Sequence, residues 1–266
     1  MANTNTNTNV PATTKADAFK SIINTHAMVR RLTSACGSEE AAKQFMASML
    51  DLYEGDNYLQ KCDPNRVVAE CIKAASLNLP LVKSLGYAYV VPYNNVPTFT
   101  IGYKGYIQLA LRSGQYRFLN ADAIYEGEHI TFDRMSGRLN VSGERTSDKA
   151  VGYFAYFQLI NGFEKTLYMT VAEIDAYAKR YSKAYNNGPW QTEFDAMAKK
   201  TVLRRILKFG PMSTEMQEAE RMEIQAAEEA VNAEIDANAN KEMIDLTTIP
   251  AEDGEIEPAE EPQPEF

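Results

Sequence analysis

Sulfur and imidazole are scarce in this 266-residue chain. Its three cysteines, Cys36, Cys62 and Cys71, show no CxxC spacing, and His26 and His129 are its only histidines. That pattern argues against a structural zinc site and a disulfide framework, and for a reducing cytoplasm. No run is long and apolar enough to span a membrane. The opening MANTNTNTNVPATT has neither the charged nor the apolar region of a secretion signal and reads as a disordered leader over residues 1–15. G-x-x-x-x-G-K-[ST] is absent, as are G-x-S-x-G, H-E-x-x-H and the EF-hand loop, so nothing points to an ATP motor, and a catalytic metal site is disfavoured. Glu164-Lys165 lacks the acidic partners of a nuclease site and reads as an ion pair at a hairpin edge.

Charge is present but unevenly placed. The formal net charge is −9, yet residues 1–212 hold 25 basic and 19 acidic residues, a net of +6, while residues 213–266 hold 2 basic and 17 acidic, a net of −15. A basic body with an acidic tail suggests a polyanion as partner. The expected division is a leader, a core over 16–212 that meets the polyanion, and a tail over 213–266. That tail should be helical to about Ala237 and then disordered.

The periodicities predict an α+β fold: a helical N-terminal part, then antiparallel hairpins and a small sheet packed with helices. Helices are expected over Asp17–Ala35, from Ser38 to Glu54, and from Asp63-Pro64 towards Pro80. Tyr87–Tyr93 and Val96–Ile101 form a hairpin around Asn94-Asn95, followed by a helix from about Gly102 to Gly114. Strands follow at Tyr116–Tyr125, His129–Asp133, Arg138–Ser142, Ala150–Leu159 and Glu164–Met169, with Asn161-Gly162 turning the last pair. Thr170-Val171-Ala172-Glu173 is a capping box that starts a helix to about Tyr181. The last core helix covers about Thr192–Phe209 and ends before Gly210-Pro211.

Three sets of residues suit a nucleic-acid ligand. Lys104, Gln108 and Arg112 recur every fourth residue on a helix that also carries Tyr103 and Tyr106 and follows a tyrosine-rich hairpin. Lys179, Arg180, Lys183 and Trp190 lie in or beside a loop where basic and aromatic residues interleave. Lys200, Arg204 and Arg205 share one arc of the last core helix, while Lys199 interrupts its apolar arc. A lysine there either meets a carboxylate or reaches towards phosphate. Each set also has a plainer reading as solvated surface or anchoring core, and the residues alone leave both open.

The runs LGYAY (85–89), GYKGYIQLA (102–110), RSG (112–114), VGY (151–153) and MAKKTVLR (197–204), with shorter runs from Asp51 onwards, resemble the phage RecT family of single-strand annealing proteins in its own order, over about Ala41–Pro211. The resemblance implies a recombinase, phage or prophage encoded, that needs neither ATP nor another cofactor and acts in the cytoplasm of a bacterial host. It would coat single-stranded DNA left by a partner 5′–3′ exonuclease, work beside the host single-strand-binding protein, and anneal the strand to its complement as a homo-oligomeric ring or helical filament. It also implies that Lys104, Arg112, Lys199, Lys200 and Arg204 occupy positions near DNA. A passive single-strand protector and, more remotely, a metal-dependent nuclease are the competing classes.

Overall fold

The computed structural model describes residues 14–182, 185–186 and 188–238; residues 1–13 of the expected leader, Lys183 and the end of the acidic tail lie outside the described residues, while Thr14 caps and Lys15 begins the first helix. Helices come first: α1 (Lys15–Ile23), α2 (His26–Cys36), α3 (Glu39–Glu54) and α4 (Pro64–Ser76). The single helix expected over Asp17–Ala35 is two. Asn24 ends the first, its amide donating to the Lys20 carbonyl at 2.7 Å, and the Thr25 hydroxyl caps the second by accepting from the Met28 N–H at 3.4 Å. Ser38 and Asp63 cap α3 and α4 as their sequence positions foretold. Phe19 of α1 stacks on Tyr53 of α3 with ring centroids 4.2 Å apart, and both are fully buried.

Strands β1 (Ala88–Tyr93) and β2 (Val96–Ile101) form a separate two-stranded hairpin, with Pro92 opposite Pro97. Asn94 and Asn95, at φ of 49° and 63°, supply the left-handed backbone its two-residue turn needs. Helix α5 (Tyr103–Leu111) follows at once. The glycines of the GYKG run have a steric cause. A Cβ on Gly102 would lie 2.2 Å from the Gly86 carbonyl oxygen, and one on Gly105 would lie 2.2 Å from that of Tyr87, so α5 packs backbone-to-backbone on the start of the hairpin.

The main sheet is antiparallel, in the order β3 (Tyr116–Tyr125), β6 (Ala150–Leu159), β7 (Glu164–Thr170). Strands β4 (Glu128–Asp133) and β5 (Arg138–Gly143) make a second hairpin, inserted between β3 and β6. Period-two alternation decides the faces. Tyr153, Ala155, Phe157 and Leu159 of β6 are buried on the inner face, which helix α8 (Phe194–Leu207) covers. Phe118, Asn120, Phe154, Tyr156 and Thr166 belong to the opposite face by register. Helix α6 (Val171–Tyr181) starts on the Thr170–Glu173 capping box, and the short α7 (Pro189–Thr192) leads into α8.

Helix α9 (Thr214–Asn238) holds Met216 and Ala219 wholly within the core. The compact unit therefore closes at Glu228, beyond the Met212 boundary expected from charge. Apolar contacts from the first turns of an acidic helix outweigh its composition. Residues 229–238, the end of α9, belong to a second unit. Among the described residues, no helix is long and apolar enough to cross a membrane.

Candidate nucleic-acid interface

Two exposed arginines and two tyrosines form a ladder on α6 and α8. The Arg205 guanidinium lies 5.3 Å from the centroid of the Tyr177 ring. Tyr177 packs on Tyr181, centroid to centroid 4.7 Å, and the Arg180 guanidinium lies 5.3 Å from the Tyr181 centroid. The tyrosines meet because they stand four apart on one helix. Tyr181 is 62% exposed, so its ring is open to a ligand. On the same helix, Lys179 pairs with Asp175 at 2.7 Å and lies 5.5 Å from the centroid of Tyr185. Arg180 and Lys179 also stand in the last turn of α6, where the helix dipole favours cations. Two cations flanking a pair of rings, one of them open, suit a strand that offers both phosphates and bases.

The cations of the MAKKTVLR run are differently placed. Lys200 Nζ donates to Glu223 Oε1 at 2.8 Å, and Arg204 lies 3.3 Å from Glu223 and 3.6 Å from Glu220. Glu223 also accepts from the Tyr106 hydroxyl at 2.8 Å and from the Ile101 N–H at 3.1 Å. Burial pushes the Glu223 carboxyl up, but the charges of Lys200 and Arg204, with the hydrogen bonds from Lys200 and Tyr106, hold it below the ordinary carboxylate value. Burial and the adjacent carboxylate raise the Tyr106 phenol well above its usual value, so it remains a donor.

Lys199 takes the first of the two courses its sequence position allowed. Its ammonium is 3.1 Å from both Asp122 on β3 and Asp195 at the start of α8, and its side chain is 15% exposed. Burial lowers its pKa, and the hydrogen bonds to the two aspartates more than reverse that, leaving it raised. Burial and the neighbouring Asp195 push Tyr153, beneath this bridge, up to about 12.

Arg112 closes the end of α4, donating to the Leu77 and Asn78 carbonyls at 2.5 and 2.8 Å. Leu77 is the C-cap of α4, and its carbonyl is one that the helix terminus leaves without an intrahelical partner. Lys104 is exposed and makes no ion pair among the described residues, and Gln108 is half-buried. Tyr103 is half-buried against the core. The ring of Tyr106 is fully buried, and Trp190, 6% exposed, packs edge-on against Phe194 at 5.8 Å. In this conformation neither offers a face to a base, and each anchors the core instead. Among the expected residues, then, the structure gathers Arg180 and Arg205, sets Lys179 against Asp175 and Tyr185, leaves Lys104 open, and commits Lys199, Lys200, Arg204 and Arg112 to internal partners. Tyr177 was not singled out in the sequence, although its spacing from Tyr181 marks it as that residue's neighbour. No group of three or more His, Cys, Asp or Glu among the described residues is arranged to hold a metal ion.

Comparison with known proteins adds a second line. The model of the RecT family matches residues 43–242. Protein RecT of Escherichia coli (strain K12) is 31% identical over 223 residues, covering 80% of this chain and 82% of that protein. The protein YqaK of Bacillus subtilis (strain 168) is 43% identical over 213 residues, covering 79% of this chain and 74% of its own.

Proposed function

This chain belongs to the RecT family of DNA recombination and annealing proteins, and from that premise we propose that it binds single-stranded DNA and anneals it to a complementary strand without ATP. The single observation that carries the reading beyond family membership is the Arg180–Tyr181–Tyr177–Arg205 ladder. Its guanidiniums can hold successive phosphates and its open ring can take a base face. Annealing makes and breaks no covalent bond. It requires a strand held by its backbone, with most bases left free for a second strand.

In this proposal Lys104, Arg180 and Arg205 meet phosphates, with Lys179 joining them when it leaves Asp175. Lys199, Lys200, Arg204 and Arg112 act at one remove, by fixing β3, α9 and α4 against the helices that carry the contacts. A filament or ring of protomers keeps the strand extended, and a partner 5′–3′ exonuclease and the host single-strand-binding protein supply and compete for it. The test is the rate at which two complementary oligonucleotides pair with the protein present, in chelator and without nucleotide. Acceleration supports the proposal. Slower pairing marks a passive protector, and loss of substrate in a parallel reaction with magnesium in place of the chelator marks a nuclease.

A further inference from the structure

The β4–β5 hairpin and the outer face of the main sheet enclose a groove of about 420 Å³ that no contact described above uses. That volume lies in the range of small-molecule sites, roughly 300–1,000 Å³. Its floor is the cross-strand row Asn120, Tyr156 and Thr166, paired in register across β3, β6 and β7, with Phe154 beside it on β6. Its roof is β5, from Arg138 to Val141. One end is fastened. Arg138 Nε of the roof donates to Glu164 Oε1 of the floor at 3.1 Å, and the Tyr156 hydroxyl donates to Glu164 Oε2, also at 3.1 Å. The one acid in the groove is thus neutralised, and the Tyr156 ring is held in place.

The lining has a definite chemistry. The half-buried rings of Phe154 and Tyr156 line the floor and aliphatic Leu139 and Val141 line the roof, an apolar lining suited to a flat ligand. Asn120 and Asn140 are exposed at the groove and make no side-chain hydrogen bond among the described residues. A carboxamide both donates and accepts, so it can match the polar edge of any base without selecting one. Beyond the groove on the same face, Phe118 is 55% exposed, with the Arg117 guanidinium 5.7 Å from its ring centroid. Rings for a flat face, adaptable amides for its edge and a cation nearby describe an unpaired nucleobase on its sugar-phosphate.

We infer that this groove takes one unstacked base of the bound single strand, sandwiched between Tyr156 and Phe154 below and Leu139 and Val141 above. The inference rests on the proposed single-strand binding and adds a subsite to it. A base held there is withheld from pairing, so the groove favours single strands over duplex.

Crosslinking tests this on the intact full chain. An oligothymidylate carrying 5-iodouracil is bound, binding is confirmed by anisotropy, and the sample is irradiated and its adducts mapped by mass spectrometry. Adducts on Tyr156 or Phe154 are expected. A bound strand that crosslinks only elsewhere, at Tyr181 for example, or yields no adduct in the groove, overturns the groove while leaving single-strand binding intact. Absence of binding in the anisotropy step overturns both. Variants give a second readout. Tyr156→Leu should weaken single-strand affinity by about 5- to 150-fold, the loss of one stacked base, with an unchanged slope of log affinity against log salt. Tyr156→Phe keeps the ring and should bind within about twofold of the unaltered protein. Equal loss in both variants would assign Tyr156 to the Glu164 hydrogen bond and contradict the sandwich.

Discussion

Glu223 and Lys200 form a buried ion pair at 2.8 Å, with side chains 9% and 14% exposed, that joins the acidic C-terminal helix to the most basic helix of the core. The same carboxylate takes the Ile101 N–H, as Glu70 takes the Phe99 N–H at 2.8 Å. Two carboxylates therefore occupy donors along β2 that another strand would otherwise seek.

Removing Glu223 should be costly. Glu223→Ala leaves the largely buried Lys200 without its counter-charge and Arg204 with Glu220 alone, an effect of about 3–5 kcal/mol. A chain ending at Met212 should show at least the same loss in denaturant unfolding, and a chain ending at Glu228 should not. Equal stability of the two truncations would show that α9 is dispensable to the fold.

The Glu223 carboxyl also sets a pH dependence. Its folded pKa lies below the ordinary value of 4.5, so the stability it confers is complete above pH 4.5 and is lost as pH falls through the folded value. Acid unfolding of Glu223→Gln should be shallower below about pH 4.5 than that of the unaltered chain, starting from a lower plateau. Parallel acid limbs would mean that other carboxylates carry the transition.

Lys199 and Arg205 should separate stability from DNA binding. Lys199→Ala breaks the bridge between Asp122 and Asp195, which are themselves more than half exposed, and should cost on the order of 1–3 kcal/mol without changing the salt slope. Arg205→Ala should leave the melting temperature nearly unchanged and reduce the slope on single strands by about 0.7. Lys104→Ala should behave like Arg205→Ala. The reverse pattern, a stable Lys199→Ala with a smaller slope, would place the lysine on DNA.

Tyr181→Ala is the stacking counterpart. Loss of its ring should weaken single-strand affinity by about 1–3 kcal/mol at every salt concentration, with the slope retained. Unchanged affinity would reduce the ladder to a pair of ordinary surface cations.

What the sequence disclosed follows from how local each signal is. All five strands from Tyr116 to Thr170 and the Thr170 capping box could be read directly, because alternation and capping are written within a few residues. The break between α1 and α2 was hidden, since Thr25 is a modest cap inside an otherwise helical run. Lys199 stood out as a charge on an apolar arc, but Asp122, its partner on β3, is 77 residues away in the chain, and only the fold brings them together. Glu223 was one acid among many in an acidic tail. Nothing in its neighbours marks it as the one that Lys200, Arg204, Tyr106 and Ile101 converge upon.

The most direct measurement is strand annealing by fluorescence energy transfer between two complementary labelled oligonucleotides, in chelator, with no nucleotide and with the full chain. Pairing faster than the spontaneous rate, and slower again with Arg180→Ala/Arg205→Ala than with the unaltered protein, is the expected result. Pairing at or below the spontaneous rate, or acceleration only when ATP is supplied, would contradict the account.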